Sequence, residues 1–203
     1  MKKISAVLFI VVFATSMIFA QGALPKQGDI FVGGKIGLGA FYGADLGFGG
    51  GFEYVLQEDF LNLGDIPASL GFGGSFGYST YKAGWTYWDY KYTNYVIFAS
   101  AFYHANVLNK DKIDTYAKFS IGYNGGKIKY DGPAGENYTS RTYNGTVTTA
   151  SAVGARYFIS PALAVVAEVG WGFGILRLGL DLALKKYGII FTIIKDQQVL
   201  YNS

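Results

Sequence analysis

The chain has 203 residues, of which 51% are hydrophobic, 18% aromatic and 15% charged, with a formal net charge of +3. That length fits one domain, and the near-neutral balance implies no nucleic acid or other polyanion as partner. With no cysteine there is no disulfide framework and no cysteine metal ligand.

Residues 1–20 carry Lys2 and Lys3, an apolar run, and a small Ala20 ahead of Gln21. This is the layout of a secretory signal peptide cleaved after Ala20, and its loss takes the net charge from +3 to +1. Ile18 is a less usual residue than alanine three places before the bond, so the cleavage site is not fixed to one residue. The rival reading is an uncleaved anchor, for which the apolar run is short. No later apolar segment, including the one near Ile189 to Ile194, approaches the ~20 residues of a membrane helix. The excess of apolar residues therefore has to be placed by strands with one lipid-facing side.

Alternation recurs along the chain. At 29–40, Ile30, Val32, Ile36 and Leu38 share a face, with Lys35 opposite among glycines. After a tight turn near 42–45, Leu46, Phe48, Phe52, Tyr54 and Leu56 oppose Gly47, Gly49, Gly51 and Glu53. A connection at 57–66 leads to the strand at 67–81, where Leu70, Phe72 and Phe76 lie on one face and serines and glycines on the other. Residues 81–94, rich in Trp and Tyr, read as a loop. Residues 95–107 form a fourth strand whose two faces stay open. A compact charged turn at 108–114 precedes a fifth strand with Lys118 on its small-residue face. Residues 127–144 read as a flexible polar loop.

A sixth strand at 147–159 carries Arg156 on the face of Ala152 and Gly154. Ser160-Pro161 is a short turn. Val165 and Val169 then oppose Glu168, and Leu178, Leu180 and Leu182 oppose Arg177 and Asp181. This makes about eight consecutive antiparallel strands, all-β, in an up-and-down transmembrane barrel. The expected lipid-facing residues are Leu70, Phe72, Phe76, Val165, Val169, Leu178, Leu180 and Leu182. Aromatic residues near strand ends, among them Phe41, Tyr42, Tyr78, Tyr81, Tyr92, Tyr95, Tyr157, Phe158, Trp171 and Phe173, are read as interfacial girdles.

Lys35, Glu53, Lys118, Arg156, Glu168, Arg177 and Asp181 fall on the inward face and are expected to form a lumenal charge network. Eight strands enclose just enough room for side chains, and unpaired charges there are costly. Counting back from a turn near Gly174 puts Glu168 opposite Asp181, which calls for a cation between them, with Lys35, Arg156 or Arg177 the candidates. The competing reading puts several of these charges at wet barrel ends. His104, the single histidine, would need a serine such as Ser100 beside it to serve a hydrolase; a strand-lining role is the simpler reading, and neither enzyme, metal nor cofactor is expected. The glycine run at Gly47 precedes no helix, so it is no phosphate loop. The sequons at Asn137 and Asn144 are read as incidental.

The run A-V-G-A-R-Y-F-I-S-P-A-L-A-V-V-A-E-V-G-W, closed by a strand of L-x-L-G-L-x-L type, resembles the small outer-membrane β-barrels of the porin-like, OmpA- and OmpX-like family over roughly residues 28–185. The resemblance implies an outer-membrane barrel at 21–185, bacterial outer-membrane lipid around it, and the barrel assembly machinery as a partner. It does not imply transport. Family members usually end on an aromatic residue; here Leu184 ends the strand and residues 186–203 follow as an expected periplasmic tail, with a further strand ending near Phe191 as the alternative. Short turns at one end and longer connections at the other put loops 81–94 and 127–144 outside the cell. Trp85, Tyr87, Trp88 and Tyr90 are then candidate contacts for host or extracellular molecules. The expected function is a structural and surface-interaction protein with a plugged lumen. The alternatives are a narrow channel for small solutes and a soluble lipocalin-like carrier with its apolar face inward.

Overall fold

The computed structural model describes residues 24–39, 44–85, 88–131 and 141–184. The signal segment, Phe41, Tyr42, Tyr87, Asn137 and the 186–203 tail lie outside the described residues. The strands are β1 Ile30–Leu38, β2 Leu46–Glu58, β3 Ala68–Trp85, β4 Trp88–Ala105, β5 Ile113–Asp131, β6 Arg141–Ser160, β7 Leu163–Trp171 and β8 Leu176–Leu184. Each pairs antiparallel with the next, and β1 pairs with β8 from Ile30 against Leu184 to Leu38 against Leu176, closing the barrel. Closure satisfies the backbone donors and acceptors without a free edge, the condition for crossing a bilayer with strands.

The period-2 pattern sorts the side chains by face. Phe72 and Phe76 are 48% and 57% exposed on the outside, whereas Glu168 is wholly buried inside. Val165, Val169, Leu178, Leu180 and Leu182 also stand on the outer wall, and Leu70 is half-buried there. A soluble carrier with an apolar interior is the inverse of this arrangement and is discarded. Among the described residues the interior holds three apolar clusters between its charges. Phe31, Val55, Phe158, Ala164 and Ala183 lie at the end where β1 begins, hereafter the near end. Phe102, Tyr116 and Val166 lie in the middle, and Val96, Phe98, Ala150 and Phe173 at the far end.

Strands β1, β7 and β8 have nine residues each, about what a tilted strand needs to cross a bilayer. Strands β3 to β6 are twice as long. The last β3 residue paired with β2 is Ser79, opposite Gly47, so β3 continues six residues farther. The first β6 residue paired with β7 is Ser151, opposite Trp171, so β6 starts ten residues earlier. The four strands thus raise a wall about 20–30 Å along the strands beyond the far end of the barrel.

This corrects the loops expected at 81–94 and 127–144. Residues 81–85, 88–94, 127–131 and 141–144 are strand, and only 86–87 and 132–140 separate the paired segments. Aromatic and β-branched residues favour a pleated surface with cross-strand partners, and density of Tyr and Trp is a strand signal as much as a contact signal. Tyr81 and Tyr92 show it: directly opposite each other, their rings stack at 4.6 Å and 5°.

The near-end connections are compact. Between β2 and β3, Asp59 and Leu61 take positive φ, Leu63 bridges Ile66, and the Asn62 side chain accepts from the Ala68 amide at 2.8 Å. The Tyr103 hydroxyl donates to the Leu61 carbonyl at 2.6 Å, pinning this turn to the barrel rim. That accounts for a near-end connection longer than its neighbours.

Candidate functional site

Strand parity places Lys35, Glu53, Lys118, Arg156, Glu168, Arg177 and Asp181 inside the barrel, where they divide into two clusters. In the near-end cluster the fully buried Arg156 guanidinium donates to three carboxylates. Nη2 reaches Glu53 at 2.5 Å, Nη1 reaches Asp114 at 3.1 Å and Nε reaches Asp181 at 2.7 Å. Its planar fork suits three acceptors in a way that a lysine point charge does not. The rings of Phe31 and Tyr116 lie 4.2 and 4.7 Å from its centre. His104, also buried, turns Nδ1 to Asp114 at 3.0 Å and Nε2 to Glu53 at 2.5 Å.

The second cluster inverts the first. One carboxylate, Glu168, collects three cations: Lys35 at 2.7 Å, Lys118 at 2.8 Å and Arg177 Nε at 2.7 Å. The Tyr116 hydroxyl donates to the same carboxylate at 2.7 Å. Arg177 also donates to the Gly174 carbonyl at 2.7 Å, tying the network to the β7–β8 turn. Lys35, Lys118, Arg156 and Arg177 thus face Glu53, Asp114, Glu168 and Asp181, four against four.

The register of β7 and β8 differs from the count made on the sequence. Glu168 stands opposite Arg177, and Asp181 stands opposite Ala164. Strand β7 stops at Trp171, and the Gly170 amide donates to the Ile175 carbonyl at 2.9 Å, so the turn is centred earlier than Gly174. The two carboxylates consequently belong to different clusters.

Asp114 and Tyr116 were not singled out in the sequence, and His104, read there as lining a strand, was not placed among the network charges. The parity of β5 held the signal, since Asp114 and Tyr116 are in phase with Lys118. His104 was hidden because both faces of β4 carry aromatic residues. Both of its ring nitrogens face carboxylates, while Ser100 is hydrogen-bonded to Ser120 at 2.8 Å. The hydrolase constellation is therefore not assembled here.

Packing closes the remainder. Phe173, expected in a girdle, folds from the β7–β8 turn into the lumen, as Phe158 does from β6. A Cβ on Gly49 or Gly77 would collide with Phe173, so bare backbone at these positions makes room for the ring. Between the glycine wall of β1–β3 and the side chains of Lys35, Lys118 and Arg156 lies a cavity of about 30 Å³. This is room for one or two waters. The lumen is a packed interior.

An apolar outer wall around a charge-filled, closed interior requires a solvent that is apolar outside. The chain is a small membrane-spanning β-barrel.

No protein-family model matches the chain, and no curated protein sequence matches it. Among solved structures, it is similar to Ail, the attachment invasion locus protein of Yersinia pestis, at 15% identity over 77% of this chain and 95% of that one, with a TM-score of 0.44. The N-terminal β-barrel domain of Pseudomonas aeruginosa OprF matches at 13% identity over 79% of this chain and all of that one, with a TM-score of 0.47. Neisserial surface protein A matches at 12% identity, 77% and 96% coverage and a TM-score of 0.47.

Outside the lumen, of the candidate contact residues, Tyr90 is 40% exposed on β4, its ring 6.4 Å from that of Tyr92. Trp85 and Trp88 are register partners at the top of the β3–β4 hairpin.

Proposed function

We propose that this chain is a bacterial outer-membrane barrel that presents the raised β3–β6 wall to the surroundings of the cell as an interaction surface. Residues 1–20 direct export, residues 21–185 form the barrel, inserted by the barrel assembly machinery, and residues 186–203 remain on the periplasmic side. The observation that carries this reading is the pairing of a sealed lumen with a wall of doubled strand length. A barrel whose interior is filled by eight interlocked charges is built to hold a platform steady. Its wall, with a stacked tyrosine pair and flanking polar residues, offers rigid contact area at low entropic cost. The channel reading is disfavoured by the water-sized cavity and by the Phe173 cap.

The chain has no cysteine, so single-cysteine labelling is clean. With a membrane-impermeant maleimide on intact cells, Ala83→Cys on the wall should label and Lys110→Cys at the near end should label only after the outer membrane is opened. The reverse order would overturn the orientation. Labelling of neither in cells whose purified barrel shows heat-modifiable migration would overturn surface exposure.

A further inference from the structure

The outward faces of β3, β4 and β5 repeat one order of residues as they leave the barrel. On β3 it is Phe72, Phe76, Tyr78, Thr80, Lys82; on β4 it is Ile97, Tyr95, Thr93, Lys91; on β5 it is Phe119, Ile121, Tyr123, Gly125, Lys127, Lys129. The register aligns them into rows. Tyr78 stands opposite Tyr95, which stands opposite Gly125, and the Tyr95 ring covers the space a Cβ on Gly125 would take. Thr80, Thr93 and Lys127 form the next row, and Lys82, Lys91 and Lys129 the row above it. All four lysines are exposed. Like charges set directly opposite on adjacent strands repel, and no described carboxylate pairs with any of the four. Asp89 and Asp131 are register partners one row farther from the barrel.

From this we infer that Lys82, Lys91, Lys127 and Lys129 form a docking surface for the phosphate-bearing headgroups of the leaflet at the far end of the barrel. The inference rests on the membrane-spanning reading. Hydrocarbon-facing residues, then tyrosines, then cations reproduce the depth order of a leaflet: acyl chains, interface, phosphates. The distances agree. The two lysine rows lie about 7 and about 14 Å along the strand beyond the tyrosines. With a tilt of about 45° that is about 5 and about 10 Å along the membrane normal, the depth and outer edge of the headgroup layer. An anionic headgroup between two lysines removes the cross-strand repulsion that the bare row would carry. Charge complementarity and continuity with the apolar band single out a lipid as the occupant; a soluble polyanion would have no use for the tyrosine row beneath.

The test folds the barrel into vesicles of phosphatidylcholine containing spin-labelled phosphatidylglycerol or spin-labelled phosphatidylcholine and compares the motionally restricted fractions. The wild type should enrich the anionic lipid severalfold, since each lysine near an anionic surface contributes a factor of about five at most. The enrichment should fall with salt. Changing all four lysines to glutamine should bring selectivity close to one, whereas Lys110→Gln with Lys112→Gln at the near end should leave it largely intact. Equal selectivity in the wild type and the fourfold variant overturns the inference. So does lysine-dependent capture of heparin by detergent-held protein with no lipid selectivity in vesicles. Heat-modifiable migration is read on every sample: its loss in the wild type would sink the membrane-spanning reading itself, while its retention with flat selectivity sinks only the lysine surface.

Discussion

The Tyr116 hydroxyl donates to Glu168 at 2.7 Å while its ring lies 4.7 Å from the Arg156 guanidinium, so a single side chain joins the two lumenal charge clusters. Neither cluster balances by itself. One sets three carboxylates around Arg156, and the other sets three cations around Glu168. Tyr116 sits where they meet and belongs to both.

Tyr116→Phe keeps the ring beside Arg156 and removes only the donor to Glu168, which retains its three cations. The expected loss is about 1 kcal/mol, in the range of one hydrogen bond. Tyr116→Ala also removes the cation–π contact and opens a cavity, at a cost of about 3–5 kcal/mol. Urea unfolding of the barrel in phospholipid vesicles measures both, and equal losses would show that the hydroxyl carries the whole effect.

Arg156→Met leaves Glu53, Asp114 and Asp181 together without their common cation. Removing one partner of a buried ion pair costs about 3–5 kcal/mol, because the remaining charge stays desolvated. Adding Glu53→Gln to that variant should recover part of the loss, as should Asp181→Asn. A double-mutant cycle on unfolding free energy reads the coupling, and strict additivity would show that these contacts are not energetically linked.

Glu168→Ala frees Lys35, Lys118 and Arg177 from their shared acceptor and widens the lumen where it is most cationic. The wild-type barrel should be electrically silent in planar bilayers. The variant, if it still migrates as a folded barrel, should pass small anions in preference to cations, as a ring of cations does. Steady openings of the wild type would contradict the sealed lumen.

Gly77→Val inserts a side chain where Phe173 and Val96 already meet. Overpacking of this kind costs about 1–3 kcal/mol. The paired change Gly77→Val with Phe173→Ala should relieve most of it. Thermal midpoints from heat-modifiable migration decide between relief and a further loss.

Much of the barrel was legible in the sequence because one rule governs it. A strand sends alternate side chains to opposite faces, and Phe72 and Phe76 against Ser75 and Gly77 declare which is which. Composition added the need for an apolar solvent, and the count of alternating segments added the strand number. The wall was misread because Tyr81, Tyr92 and Tyr90 alternate with polar residues that serve equally well in a loop. Strand length there is decided by cross-strand partners, which no single segment contains.

The sequence by itself determined the facing of most strand side chains, the fourth strand and Phe173 apart, since parity along a strand is local and survives errors in where a turn is centred. Only the tertiary structure decided which charge meets which. A turn centred a few residues earlier than counted moves Glu168 from Asp181 to Arg177, and barrel closure brings Lys35 from β1 to the same carboxylate. Ion pairing depends on register and on curvature around the ring, and both are properties of all eight strands together.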